Sequence, residues 1–150
     1  MNIQEYHTRA MDLAEEADFL KMQGKVDEAS LLYAQSFESE REAAYMARNQ
    51  QIGEPTESVL FRSAASLAYG QKDFREAERL VCLGLSGNPP AEIADELRSL
   101  YDAISMERNM SLMESDTSSK EHENVTITIP SRERNLLNVL VRKFGWACIF

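Results

Sequence analysis

The sequence predicts a mainly α-helical fold of antiparallel helical hairpins, about five helices in all, with a short strand and helix appended at the C-terminal end. Three observations carry this expectation. Apolar residues recur at three- and four-residue intervals through successive segments, the period of helices with one buried face. Gly, Pro and Asn separate those segments at short intervals, as hairpin turns require. β-Branched residues gather in VTITI at 125–129, a strand signal near the end of the chain.

The elements follow in order. From 3 to about 22, Ala10, Leu13, Ala14, Ala17, Phe19 and Leu20 keep helical spacing until Gly24 breaks it. Val26, Ala29, Leu32, Tyr33, Ser36 and Phe37 then restart the period, and no Gly or Pro follows until Gly53, so a longer second helix runs to about residue 49. GEPT at 53–56 ends it and offers Thr56 as a cap for a third helix, which turns Val59, Leu60, Ala64, Leu67 and Ala68 inward and ends near Gly70. A fourth helix, from about 73 to 85, buries Phe74, Ala77, Leu80, Val81 and Leu85. Asn88-Pro89-Pro90 stops it and opens a fifth that carries Ile93, Leu97, Leu100, Tyr101 and Ile104.

Composition then shifts. Residues 107–124 are rich in Ser and charge and are expected to form a flexible acidic linker, leaving 1–106 as a helical domain and 125–150 as a strand-helix module. In that module Pro130-Ser131 closes the strand, and Ser131 can cap a helix with Leu136, Leu137, Leu140, Val141 and Phe144 on one side.

A chain of 150 residues suits one domain with an appendage. Its net charge of −9 repels phosphate backbones, so nucleic acid is an unlikely partner for the whole surface. The charge is uneven: 10 basic and 19 acidic side chains in 1–106, 2 and 5 in 107–124, and 4 and 1 in 125–150. No signal peptide or uninterrupted apolar span is visible, and Cys82 and Cys148 lack the spacing of a metal or redox pair. A cytoplasmic protein with no membrane contact is expected.

Two turns repeat one pattern. Gly24 to Ala29 followed by Tyr33 matches Gly70 to Ala77 followed by Val81: a small residue, an acid, an Ala, and an apolar residue four positions on. Ala17 and Ala65 supply small residues on the preceding helices, and Pro89 stands twelve residues after Ala77. Over about residues 10–106 this resembles the tetratricopeptide repeat family. Ala29 and Ala77 lie 48 positions apart, against a family period of about 34, so the first unit should have a lengthened second helix and a longer connection.

The resemblance implies a concave groove lined by the first helix of each pair, here Met11, Ala14, Asp18, Lys21, Arg62, Ser66 and Tyr69, which would take a peptide or a partner helix. Arg62 and Tyr69 would offer an anion contact and an apolar wall. Ala14 and Asp18 stand where a peptide carboxylate clamp needs other residues, which argues against that mode.

No constellation points to catalysis. Glu15, Glu16 and Asp18 form an acidic cluster without His or Cys and suit a solvated helix face better than a metal site. Gly24-Lys25 lacks the remainder of a phosphate loop, and no nucleophile has an evident base. Neither catalytic residues nor a cofactor nor a metal is expected.

The C-terminal module loosely resembles the strand and first helix of ribbon-helix-helix regulators and small bacterial antitoxins. A lone strand must pair its backbone groups, which suggests a homodimer or a docked partner. Arg132, Arg134, Leu137, Arg142, Lys143, Phe144 and Trp146 are its candidate docking residues. The expected function is therefore a protein-binding adaptor using the helical groove and this module. One alternative is an antitoxin-like or transcription-regulatory protein whose basic tail holds a toxin or DNA, and a second, less favoured by the residues, is an enzyme whose site goes unrecognised in the sequence.

Overall fold

Local chemistry at the helix ends sets the architecture. A computed structural model describes residues 1–117, with side chains through residue 110. The chain divides into two units, Met1–Ser115 and Asp116–Phe150. Five helices occupy the described residues: α1 (Ile3–Met22), α2 (Val26–Asn49), α3 (Thr56–Gly70), α4 (Phe74–Leu85) and α5 (Ala91–Thr117). No strand occurs among the described residues. The strand and helix expected in 125–150 lie outside them.

At the start of α1 the Asn2 side chain accepts from the Glu5 amide while the Glu5 carboxylate accepts from the Asn2 amide, 2.9 and 2.8 Å. This reciprocal cap satisfies two of the amides that a helix leaves free. Asp73 caps α4 by accepting from the Glu76 amide. The cap expected of Thr56 is not made, because Thr56 is already helical. Glu54 Oε2 instead accepts from the Ser58 amide, and the Ser58 hydroxyl donates to the Pro55 carbonyl.

The ends of α1, α2 and α3 share one closure. At each, an amide bonds back to a carbonyl five residues earlier: Lys25 to Leu20, Ile52 to Ala47 and Asp73 to Ala68. The residue before each donor has positive φ: Gly24 at 80°, Gln51 at 54° and Lys72 at 64°. Glycine suits that conformation because it lacks a Cβ. Only the first turn uses it. The second hairpin therefore turns at Lys72, whereas Gly70, expected to be the hinge, is the last residue of α3. Matched on these closures, Gly24 corresponds to Lys72 and Ala29 to Ala77, the same 48-residue offset. Nearly all of the excess over a family-length repeat is helix: α2 has 24 residues and α4 has 12. The connection is not the source, for six residues join α2 to α3 and five join α4 to α5.

Cross-helix contacts define antiparallel pairing. His7 meets Glu40, Ala10 meets Ser36 and Asp18 meets Tyr33, so α2 descends as α1 ascends. Between α2 and α3, Arg48 meets Glu57 and the Tyr45 ring meets Phe61 edge-on at 5.6 Å. Between α3 and α4, the Tyr69 and Phe74 rings lie 5.9 Å apart. A Cβ added to Gly84 would come within 3.1 Å of Leu97 and 3.2 Å of Phe61, so α3, α4 and α5 converge where α4 has no side chain.

Inward positions of α1 are Ile3, Tyr6, Ala10, Leu13, Ala17 and Leu20; those of α2 include Ala29, Tyr33, Ser36, Glu40, Ala43 and Ala47. Spacings of three and four alternate on both helices, the seam of a left-handed helix pair. Every seventh residue is small: Ala10 and Ala17 on one helix, Ala29, Ser36 and Ala43 on the other, all buried. Beyond this seam the second half of α2 joins α3, α4 and α5 around Phe61, Leu80, Val81, Leu97 and Ile104.

The helix faces differ from expectation at a few positions. Phe19 is exposed because the seven-residue seam turns it outward, Val26 is exposed at the first position of α2, and Tyr101 lies at the surface while Ala94 is buried in α5. Residues 107–117 are helical where a linker was expected to begin. That stretch, ERNMSLMESDT, has no Gly or Pro to stop a helix begun at Ala91, so its Ser and charge content did not set the boundary.

Two expected outcomes follow from the seam and the turns. Ala17→Leu should destabilise the chain by about 1–3 kcal/mol through overpacking, read as a lower urea midpoint. Lys72→Gly should stabilise it by roughly 0.5–1 kcal/mol because the left-handed position no longer carries a Cβ; a lower midpoint would contradict the turn assignment.

Candidate functional site

The seven residues expected to line a groove divide between two helices. Met11, Ala14, Asp18 and Lys21 lie on α1, and Arg62, Ser66 and Tyr69 lie on α3. α1 packs along α2 and is not closely packed against α3. Asp18 accepts from the Tyr33 hydroxyl of α2, and Arg62 pairs with Glu96 of α5. The Ser66 hydroxyl donates back to the Arg62 carbonyl, and Tyr69 stands against Phe74. Met11 and Lys21 are exposed. The anion contact proposed for Arg62 is thus supplied by the protein's own Glu96. The seven candidate docking residues from Arg132 to Trp146 lie outside the described residues.

Polar groups that enter the α1–α2 seam are matched to partners. Glu40 is fully buried and meets His7 Nδ1 at 2.9 Å, with His7 about one-third exposed. The Ser36 hydroxyl donates to the Ala10 carbonyl at 2.7 Å. Asp18 holds the Tyr33 hydroxyl above its ordinary value of 10.0, first because the carboxylate accepts the hydroxyl's hydrogen bond, then through partial burial and the negative charge. At the far end of α2, Arg48 binds Glu57 at 2.7 Å and the Leu83 carbonyl at 2.6 Å, and its guanidinium stands 4.5 Å from the centre of the Phe61 ring. It ties the ends of three helices together. The Glu76 carboxyl is held below its ordinary range, chiefly by its hydrogen bond from Arg79. Among the described residues the buried Tyr45 hydroxyl has no hydrogen-bond partner within bonding distance. Its ring packs on Phe61 and beneath the Arg79 guanidinium, so its position follows from ring packing.

One of the open features of this unit is a shallow groove of about 400 Å³ on the flank of the α1–α2 hairpin. α2 contributes Leu31, Ala34, Gln35, Glu38, Ser39 and Glu42, one stripe along three turns, and α1 contributes Tyr6 and Arg9. Leu31 is 66% exposed at one end of the stripe. Glu38 pairs with Arg41, whose guanidinium lies over the Phe37 ring. Glu42 has no ion pair among the described residues. Chemically the groove can offer an apolar floor and carboxylates at its margin. Sequence reasoning placed Leu32 and not Leu31 on the inward face but assigned Leu31 to no surface. The seven-residue series Ala29, Ser36, Ala43 is the signal for it, since it places Leu31 outside the seam.

Among the described residues no three His, Cys, Asp or Glu side chains converge as a metal site, and no helix is long and apolar enough to cross a membrane. Compared with protein-family models, with curated proteins and with solved structures, the chain matches none.

Two outcomes test these ties. His7→Ala should cost about 2–3 kcal/mol, because it leaves a buried carboxylate without its partner, measured by urea unfolding. The Tyr33 contribution has a definite sign. A hydroxyl held above its unfolded value stabilises the fold while protonated and loses that effect as pH rises through its folded value. Stability should therefore fall above about pH 10, the ordinary tyrosine range. Tyr33→Phe should flatten that loss in thermal melts.

Proposed function

We propose that this chain is a non-catalytic protein-interaction scaffold, with its helical hairpins in a tetratricopeptide-like arrangement and its open flanks as binding surfaces. The observation that carries the reading is the complete burial of Ala17, Ala65 and Ala77, the small residues expected at the hairpin crossings. Small residues let helix axes approach closely, and stacking of such pairs is how helical repeats build a scaffold. The equivalent closures at Gly24 and Lys72 support the repeat, as does α5 covering the end of the α3–α4 pair through Leu97 and Ile104. Exposed Phe19, Met22 and Leu31 on the first hairpin support attachment, because large apolar side chains outside a core are the usual anchors of a protein interface.

A second reading assigns the basic residues Arg132, Arg134, Arg142 and Lys143 to a toxin or DNA, supported by the excess of positive charge in 125–150. It predicts binding that weakens steeply as salt rises.

The scaffold reading is tested by placing a photo-reactive amino acid at Leu31, at Tyr69 or at exposed Arg98 in the full chain and irradiating intact host cells. A cross-linked protein of defined mass is expected from Leu31 or Tyr69 and not from Arg98. Absence of a discrete adduct at both hairpin positions would contradict the reading.

A further inference from the structure

We propose that the flank of the α1–α2 hairpin, between Tyr6 and Arg9 on one side and the Leu31–Glu42 stripe on the other, seats a cationic amphipathic helix of a partner protein. The proposal deepens the scaffold reading and rests on it. Three observations on this face lead to the partner's chemistry.

The first is shape. Leu31 and Glu42 are eleven residues apart on α2, which is about 16 Å or three turns at the helical rise. Tyr6, Leu31 and Ala34 supply the apolar lining between the helices, beside Arg9 and Gln35. Both walls are helices whose interior amides are already bonded within the helix, so they offer no strand edge for an extended peptide to join. A helix laid along them can place its side-chain ridges in the groove.

The second is the apolar anchor. Leu31 is 66% exposed at the end of a stripe whose inward neighbours, Ala29 and Ser36, are fully packed. An apolar residue of a guest helix meets it at the groove floor.

The third is charge. Glu38 and Glu42 stand on the α2 side of the groove, and Glu5, Asp12 and Glu16 continue along the α1 face that shares Arg9 with it. Glu5 serves the N-terminal cap and Glu38 pairs with Arg41, but Glu42, Asp12 and Glu16 make no ion pair among the described residues. A second copy would bring the same carboxylates face to face. A helix with Lys or Arg beside an apolar stripe matches both the floor and the rim, and Arg9 fixes where an acidic residue of that helix fits.

The test uses the full chain and a synthetic 18-residue peptide of Leu and Lys arranged as an amphipathic helix, with a Leu–Glu peptide of the same pattern as control. Isothermal titration should show one saturable site for the Leu–Lys peptide and none for the control. Leu31→Asp and, separately, Glu38→Lys combined with Glu42→Lys should each weaken binding at least tenfold while leaving the circular dichroism spectrum unchanged. Amide shifts in nuclear magnetic resonance spectra should fall on residues 6–9 and 31–42. Binding unaffected by these variants, shifts confined to α3–α5, a dimer mass on sedimentation, or occupation of the groove by residues 118–150 of the chain itself would each overturn the proposal. Because photo-cross-linking at Tyr69 does not depend on this groove, loss of the peptide site alone leaves the scaffold reading standing.

Discussion

A hydroxyl on one helix reaches a backbone carbonyl on the next: Ser36 donates to Ala10 at 2.7 Å, with both residues fully buried. A side chain as short as serine can make that contact only where two helices run close together. Ala10, Ala17, Ala29 and Ala43 keep the distance short along the rest of the seam, and Gly84 performs the same service where α4 meets α3 and α5. Dispersion is strongest between atoms in contact, so a seam of small residues gains from backbone proximity what larger side chains would gain from area. Overpacking at any of these points has to push whole helices apart.

The seam also explains how the unit tolerates buried polar groups. Glu40 lies at an inward position of α2 and would be costly alone, but the pairing that brings Ala10 against Ser36 also brings His7 against Glu40 one turn further along. Arg48 then carries the order from α2 to the starts and ends of α3 and α4 through Glu57 and Leu83. α2 is consequently the element on which the unit is assembled: its first half belongs to the α1 seam and its second half to the larger core around Phe61. A single long helix shared by two packing zones fixes how the zones meet, and it leaves the outer stripe from Leu31 to Glu42 open along the hairpin's flank.

Much of this was visible in the sequence. Four of the five helices end where Gly, Pro or a change of period said they would, and Ala17, Ala65 and Ala77 are buried as their spacing required. Three features were hidden, each for a physical reason. The hairpin turns were read from Gly24 and Gly70, yet Gln51 and Lys72 adopt the left-handed conformation because two backbone hydrogen bonds at each helix end hold them there. The extension of α5 to Thr117 was obscured by Ser and charge, which favour solvation without stopping a helix already begun. The resemblance assigned groove residues to α1 and α3, and it carried no signal for the open groove between α1 and α2. Periodicity identifies which residues share a face, and only the pairing of helices tells which faces are left without a neighbour.

The central claim is close approach of α1 and α2 through small residues, and the nuclear Overhauser effect between Ser36 Hβ and Ala10 Hα measures it directly in the full chain. A strong cross-peak, accompanied by slow exchange of the Ser36 hydroxyl proton, is the predicted result. If that cross-peak is missing while α1 and α2 remain helical by their amide pattern, the helices stand apart and the account of the scaffold fails with them.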